Sequence, residues 1–438
     1  MRRPSVSTAS DTAEGTDSYI DAPAGLYRHY VLFLCCSAGF LAYADRTVFG
    51  ALLLPIKAEF GLSDTMLGLL SGLAFAITYC VFGLPLGSLS DCLSRKTILV
   101  SCVTVWSLMT AACGAATSAF WLALTRLGVG AGEAGVAPAS ISTISDLYPV
   151  HQRTRAIALF PIATSLGGAA AFPIGANMAA AYGWRSVFIV LAVPGLLLAV
   201  LMLFTFRDPR GTSPTRSATH DVPGFWLTFR TIVTKPQLML AFSAAGFSSM
   251  LAAMILWLPA FYERSHGLGR VETGNMIGLI LLISGPIGMI TGGWLGDRAG
   301  SAGPRKVAYL LALFALMQVV SAALMLLVAD STLSFVFACI WSAFLVAFVP
   351  PCYALSQNLV QPRMRGTSMG VLNIFNNLIG YGLGPVVIGG LSEALAQSSG
   401  TEALRFALVT IAVVLGGLAA IFFVLSGRAT GVEMAQAS

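Results

Sequence analysis

Phe40-Leu41-Ala42-Tyr43-Ala44-Asp45-Arg46-Thr47-Val48-Phe49 lies inside an apolar run from about Tyr30 to Leu54, and it carries an acid and a base side by side. A run of this length crosses a bilayer, which takes about 20 residues of helix. An ionisable group at the centre of a membrane helix costs roughly 2.5–3.5 kcal/mol on insertion scales, so a chain that keeps one points it at a water-filled cavity or a partner. Asp45 and Arg46 are therefore expected to face a central cavity. The plainer reading puts them at the helix end, anchoring it in the interface.

Composition bounds the class. Of 438 residues, 56% are hydrophobic and 10% are charged, against about 25% charged in a soluble domain. The chain reads as an all-α integral membrane protein, because its apolar runs have helical length. A membrane barrel shows alternating segments of about ten residues instead. No cleavable signal peptide is expected, and Met1–Ala24 is polar enough to read as a disordered tail. Cys35, Cys36, Cys80, Cys102, Cys113, Cys339 and Cys352 fall within apolar runs and Cys92 does not. They read as small buried hydrophobes, with no zinc or redox spacing. No nucleotide-binding loop or catalytic triad is found, so no enzyme activity, metal, cofactor or nucleic-acid partner is expected.

Twelve apolar runs are predicted to span, near 28–54, 64–89, 96–116, 119–141, 154–180, 185–206, 237–262, 273–297, 306–329, 332–356, 366–391 and 403–426. The polar stretch Arg207–Lys235, with Pro209, Gly211, Pro214, Pro223 and Gly224, reads as a linker between two halves. The expected organisation is a tail at 1–26, a six-helix bundle at 27–206, a linker at 207–235, a second bundle at 236–427 and a tail at 428–438. Of the 25 Lys and Arg residues, 18 fall on the side of the amino end and 5 on the other. This bias predicts that both termini lie in the cytoplasm, with a bacterial plasma membrane as the expected location.

The halves repeat. Gly87-Ser88-Leu89-Ser90-Asp91 follows the second run, and Gly293-Trp294-Leu295-Gly296-Asp297 follows the eighth, 206 residues later. Arg95-Lys96 and Arg305-Lys306 stand 210 apart, as do Arg153-Thr154-Arg155 and Arg363-Met364-Arg365. Three landmarks at nearly one offset imply two units of the same orientation, with binding at their interface near the bilayer midplane.

These runs, the linker and the Gly-x-Leu-x-Asp…Arg-Lys loops resemble the major facilitator superfamily. The first loop departs from the family pattern at Cys92 and Ser94; the second keeps a basic residue, Arg298. Within the superfamily the chain resembles spinster-like transporters at Tyr43-Ala44-Asp45-Arg46, Pro55-Ile56-Lys57, Gly61-Leu62-Ser63-Asp64, Arg126–Ala134 and Asn376-Asn377-Leu378-Ile379-Gly380. The resemblance implies two pseudo-symmetric six-helix bundles, and a cargo such as a lysolipid or a phosphorylated sphingoid base. It also implies a gating role for Asp91, Arg95, Lys96, Asp297, Arg298 and Arg305.

Arg126 and Glu133 stand seven residues apart, which returns to the same helix face about 10 Å along the axis. If Asp45, Arg46, Arg126 and Glu133 all met lipid, the cost would be on the order of 10–14 kcal/mol. They must turn inward, either as a structural ion-pair cluster or as a proton site. Apolar surroundings favour a protonated carboxyl, and a nearby guanidinium favours the ionised form. Asp45 and Glu133 are therefore expected to carry the coupling proton, with Arg46 or Arg126 paired to them or to an anionic cargo. Asn373, Asn376, Asn377 and Tyr381 share one helix face; they form a polar cavity wall or hydrogen-bond between helices. Tyr43 and Ser249 join the expected cavity wall. Trp257, with Phe261 and Tyr262, reads either as cavity wall or, more simply, as an interfacial aromatic belt.

Three functions fit. The first is a monomeric, proton-coupled alternating-access transporter of an amphipathic anion. The second carries small organic anions, sugars or drugs. The third is a membrane sensor that keeps the fold without turnover.

Overall fold

The computed structural model describes residues 25–92, 94–208, 225–361 and 364–437. Every regular element among them is helical. Ten helices among the described residues are long and apolar enough to cross a membrane. The last, Arg365–Gly431, holds two passes separated at Gly400, whose φ of 54° turns the chain. The fourth expected span is broken into Ala119–Glu133 and Val136–Leu147, each too short to cross alone. Joined, they restore the pass that the other helices lack, so twelve passes result.

The first half comprises span 1 (Gly25–Phe60), span 2 (Asp64–Gly68, Leu69–Leu73 and Ala74–Cys92), span 3 (Arg95–Gly114), span 4 (above), span 5 (Val150–Tyr182) and span 6 (Trp184–Thr205). The second half comprises span 7 (Pro236–Ala252 and Met254–Ser265), span 8 (Arg270–Ser301), span 9 (Pro304–Leu327), span 10 (Ser331–Ala347 and Val349–Asn358), span 11 (Arg365–Ile374, Phe375–Leu383 and Gly384–Ser399) and span 12 (Ala403–Ala437). Short polar residues start several of them. Ser63 accepts the Met66 amide at 3.3 Å, and Asp330 accepts the Leu333 amide at 2.8 Å, which satisfies donors a helix start leaves orphaned. The outer surface is apolar: Phe204, Ile290 and Leu197 are 79%, 71% and 65% exposed. Such a surface suits lipid rather than water.

Packing repeats between the halves. Span 1 packs on span 5 as span 7 packs on span 11, and span 3 packs on span 6 as span 9 packs on span 12. Across the seam, span 2 meets span 11 and span 8 meets span 5, the same pair with the halves exchanged. These relations are those of two parallel units about one axis, as the repeated landmarks predict.

Two segments of wider helical turn face each other at the seam, Leu69–Leu73 in span 2 and Phe375–Leu383 in span 11. Glycine is needed where they meet. A Cβ on Gly72 would lie 2.6 Å from the Gly382 carbonyl oxygen, and one on Gly68 would collide with the Pro385 carbonyl. Widened turns of this kind are frequent at functional sites.

Three sequence expectations change. The linker ends in a helix, Phe225–Val233, whose Ile232 is buried under span 7; residues 209–224 of it lie outside the described residues. The chain beyond residue 427 continues as helix to Ala437. Trp257, Phe261 and Tyr262 form no interfacial belt, because span 7 runs through the interior here and all three are 0% exposed.

Candidate functional site

Spans 1, 2 and 4 build the charged centre. Span 4 delivers Arg126 and Glu133 on one face, as their spacing predicts, and both are buried. The Thr78 hydroxyl of span 2 donates to the Leu127 carbonyl at 2.7 Å and holds the two helices together. Gly130 allows the close approach, since a Cβ there would stand 2.5 Å from the Thr78 hydroxyl oxygen.

Asp45 is buried at 2% exposure. The Thr110 hydroxyl of span 3 donates to its Oδ2 at 2.9 Å, and Arg126 Nη1 lies 3.8 Å from the same oxygen. The Glu133 carboxyl faces Asp45 and lies within the field of both Arg126 and Arg46. Arg126 is fully buried, and its Nε, Nη1 and Nη2 have no hydrogen-bond partner among the described residues. Its guanidinium lies over the rings of Phe49 and Phe75, at 5.0 and 5.5 Å. A buried pair of this kind contributes little to stability, while removing one partner strands a charge at a cost of about 3–5 kcal/mol.

Arg46 also lies over the Phe75 ring. Its guanidinium is 4.7 Å from that ring, 4.7 Å from Tyr381 and 5.6 Å from Tyr79. Arg46 Nη2 donates to Asn377 Oδ1 at 3.1 Å, so one side chain bridges the halves. Arg46 also lines a cavity of about 200 Å³ together with Tyr43, Ser249, Asn373, Asn376, Asn377 and Tyr381. Ser249 donates to Asn376 Oδ1 at 3.0 Å, so the asparagines both line the cavity and join helices. A smaller space of about 30 Å³ shares Tyr43, Arg46 and Tyr381 with it and is also lined by Ser71 and Phe75.

The expectation that four charged groups share one cavity is corrected. Arg46 reaches it, whereas Asp45, Arg126 and Glu133 lie outside the lining of both spaces. Both guanidinium groups lie near the Phe75 ring. Trp257 is also absent from both linings and belongs to the apolar core. Phe75 and Thr110 were not singled out from sequence. Thr110 carried a faint signal as a hydroxyl within an apolar run; Phe75 carried none.

The side where span 1 ends and span 2 begins, the far side, is closed by a second network that sequence reasoning missed. Asp64 accepts from Arg264 Nη1 and Nη2 at 2.8 and 3.0 Å, from Lys57 Nζ at 2.5 Å and from Ser392 Oγ at 2.9 Å. Thr65 donates to Glu393 beside it at 2.5 Å. Arg264, Ser392 and Glu393 belong to the second half. The signal available was Asp64 itself, an acid opening an apolar run.

The loop residues behave unequally. Asp91 lies in helix, and its side chain falls outside the described residues. Arg95 is buried and pairs with Asp146 at 2.5 Å, while its amide donates to Asp208 at 2.7 Å. Lys96 follows it into span 3. In the second copy Arg298 lies 3.9 Å over the Trp294 ring and Arg305 lies 5.5 Å over Tyr309. The Asp297 carbonyl accepts from Ser301 at 2.9 Å.

The Major Facilitator Superfamily profile matches residues 35–385. The chain belongs to the major facilitator superfamily. Within this superfamily it is similar to spinster proteins. An MFS-type efflux pump of Mycolicibacterium smegmatis is 31% identical over 376 residues, covering 85% of this chain and 86% of the pump. The probable L-galactonate transporter of Escherichia coli is 28% identical over 416 residues, covering 90% of this chain and 88% of that protein. A crystal structure of a bacterial homologue of the human lysosomal transporter Spinster, inward-facing and unoccupied, superposes with a TM-score of 0.83 at 28% identity, covering 93% of this chain and 98% of that one. Like other superfamily members, the chain is a multi-pass membrane protein.

Proposed function

We propose that this transporter couples the movement of an organic anion to protons by alternating access. The observation that carries the reading is that Arg126 and Arg46 both lie over the Phe75 ring, at 5.5 and 4.7 Å. One guanidinium faces the buried carboxyls and the other faces the cavity. Protonation of Asp45 or Glu133 changes the net charge around Arg126. Anion binding changes the charge beside Arg46. Each event alters the field felt by the other, and that mutual dependence is what coupling requires. On this reading Asp45 and Glu133 exchange the proton. Arg46 meets the anionic head, flanked by Tyr43, Tyr381 and the three asparagines. Units 27–206 and 236–427 rock about the seam, with both termini in the cytoplasm of a bacterium and the far side closed.

Two cargo classes remain. Resemblance to spinster-like transporters supports an amphipathic anion such as a lysolipid. The cavity volume of about 200 Å³ favours a compact organic anion, since drug-sized ligands take roughly 300–1,000 Å³. The probable L-galactonate transporter among the relatives fits that second reading. The test is uptake of labelled substrate into proteoliposomes under an imposed pH gradient, with lysolipids and sugar acids as competitors. Gradient-dependent uptake that sugar acids block supports the compact-anion reading; block by lysolipids alone supports the amphipathic one. Binding without uptake in any gradient would identify a sensor and sink the transport proposal.

A further inference from the structure

A second concave surface, of about 390 Å³, lies on the outer face of the second half between spans 9 and 12. Its walls are the exposed apolar side chains Leu313, Leu316, Ile421 and Leu425, and small Ala312 and Ala420 leave the hollow between them. One charged residue lines it, Arg428, near the end of span 12. The start of span 9 adds two more exposed cations there, Arg305 and Lys306. Arg305 Nε donates to the Tyr309 hydroxyl at 3.1 Å. Tyr309 abuts Gly427, and Arg305 abuts Gly431, so the basic ends of the two helices come together. None of these three cations forms an ion pair among the described residues.

We propose that this groove seats one anionic phospholipid, with its phosphate at Arg305, Lys306 and Arg428 and an acyl chain along the hollow. The dimensions agree. From Arg428 to Ala420, and from Arg305 to Leu316, the helices rise about 12 and 16 Å at 1.5 Å per residue. One leaflet of hydrocarbon is about 15 Å deep, half of a core of about 30 Å. The groove therefore runs from headgroup level to the midplane of a single leaflet. Its chemistry is divided in the same way, basic at one end and apolar along the rest. Basic pockets between spans are known to hold anionic headgroups. The start of span 9 adds the positive end of a 24-residue helix. A second copy of the chain is a poorer occupant, because a symmetric contact on this face would bring like charges together.

The experiment delipidates the purified full chain and measures retention of dioleoyl phosphatidylglycerol and of dioleoyl phosphatidylcholine by native mass spectrometry. Each cation is worth about fivefold in retention, or about 1 kcal/mol. Wild type is expected to keep phosphatidylglycerol at least tenfold better. Arg428→Gln with Arg305→Gln should remove most of that preference. Leu316→Trp, which fills the hollow and keeps the charges, should release the lipid too, with monodisperse elution showing that both variants are folded. Equal retention of the two lipids, a preference unchanged in either variant, or dimerisation through this face on delipidation would overturn the proposal.

Discussion

Asp64→Asn keeps the shape of the far-side network and removes its charge. The Asp64 side chain is 8% exposed and the Arg264 side chain is 23% exposed. Of its four contacts, those from Arg264 and Ser392 cross between the halves, whereas Lys57 belongs to its own half. A hydrogen bond to a charged group contributes about 1.5–3 kcal/mol net. The amide keeps part of each cross-half bond, and partial exposure of Arg264 screens the remainder. The loss to the closed state is therefore about 2–3 kcal/mol, which multiplies the ratio of far-side-open to far-side-closed protein by roughly 30 to 150. Ser71, which lines the smaller space and is 5% exposed, reports that population. With the native cysteines replaced, Ser71→Cys is labelled by an impermeant maleimide added from the far side. The labelling rate should rise by the same factor when Asp64→Asn is introduced. A rise of less than about threefold in a monodisperse protein would mean that Asp64 does not hold the seam, and the energetic reasoning fails.

Other consequences follow from the same geometry. Arg46→Gln removes the cation at the cavity and its bond to Asn377; the apparent KM for an anionic substrate should rise at least 30-fold, by about 2–5 kcal/mol for a buried charge contact, as read from initial uptake rates. Gly68→Leu drives a side chain into the Pro385 carbonyl, so it should prevent far-side closure and raise Ser71→Cys labelling without Asp64→Asn; an unchanged rate would contradict the close packing of spans 2 and 11. Trp257→Ala should lower thermal stability by about 3–5 kcal/mol as a core truncation, while Trp257→Phe leaves KM within about twofold, a threshold well below the tenfold expected for each 1.4 kcal/mol of lost contact. A large KM change in Trp257→Phe would return that residue to the binding site.

The spans were legible because each is an apolar run of membrane length, and the parallel halves were legible because short loop motifs repeat. The face shared by Asn373, Asn376, Asn377 and Tyr381 was legible from helical spacing, and it does line the cavity. What sequence could not show depends on partners far along the chain. Asp64 meets Arg264 200 residues later and Ser392 328 residues later, so its role had no local signature. The widened turns at Leu69–Leu73 and Phe375–Leu383 meet across the seam, between segments more than 300 residues apart in the chain. Trp257 looked interfacial because it stands near the end of an apolar run, but neighbouring spans bury that end. The separation of Arg46 from Asp45 follows from the helix itself. Adjacent residues point about 100° apart, so one turns to the cavity and the other to spans 3 and 4.

The most direct test of proton exchange at Asp45 and Glu133 is proton movement itself. Proteoliposomes loaded with a pH-sensitive dye receive a substrate gradient and no imposed pH gradient. Wild type should change its internal pH in step with substrate flux, whereas Asp45→Asn and Glu133→Gln should move substrate without protons or stop altogether. Wild-type proton movement per substrate in both variants would contradict the account.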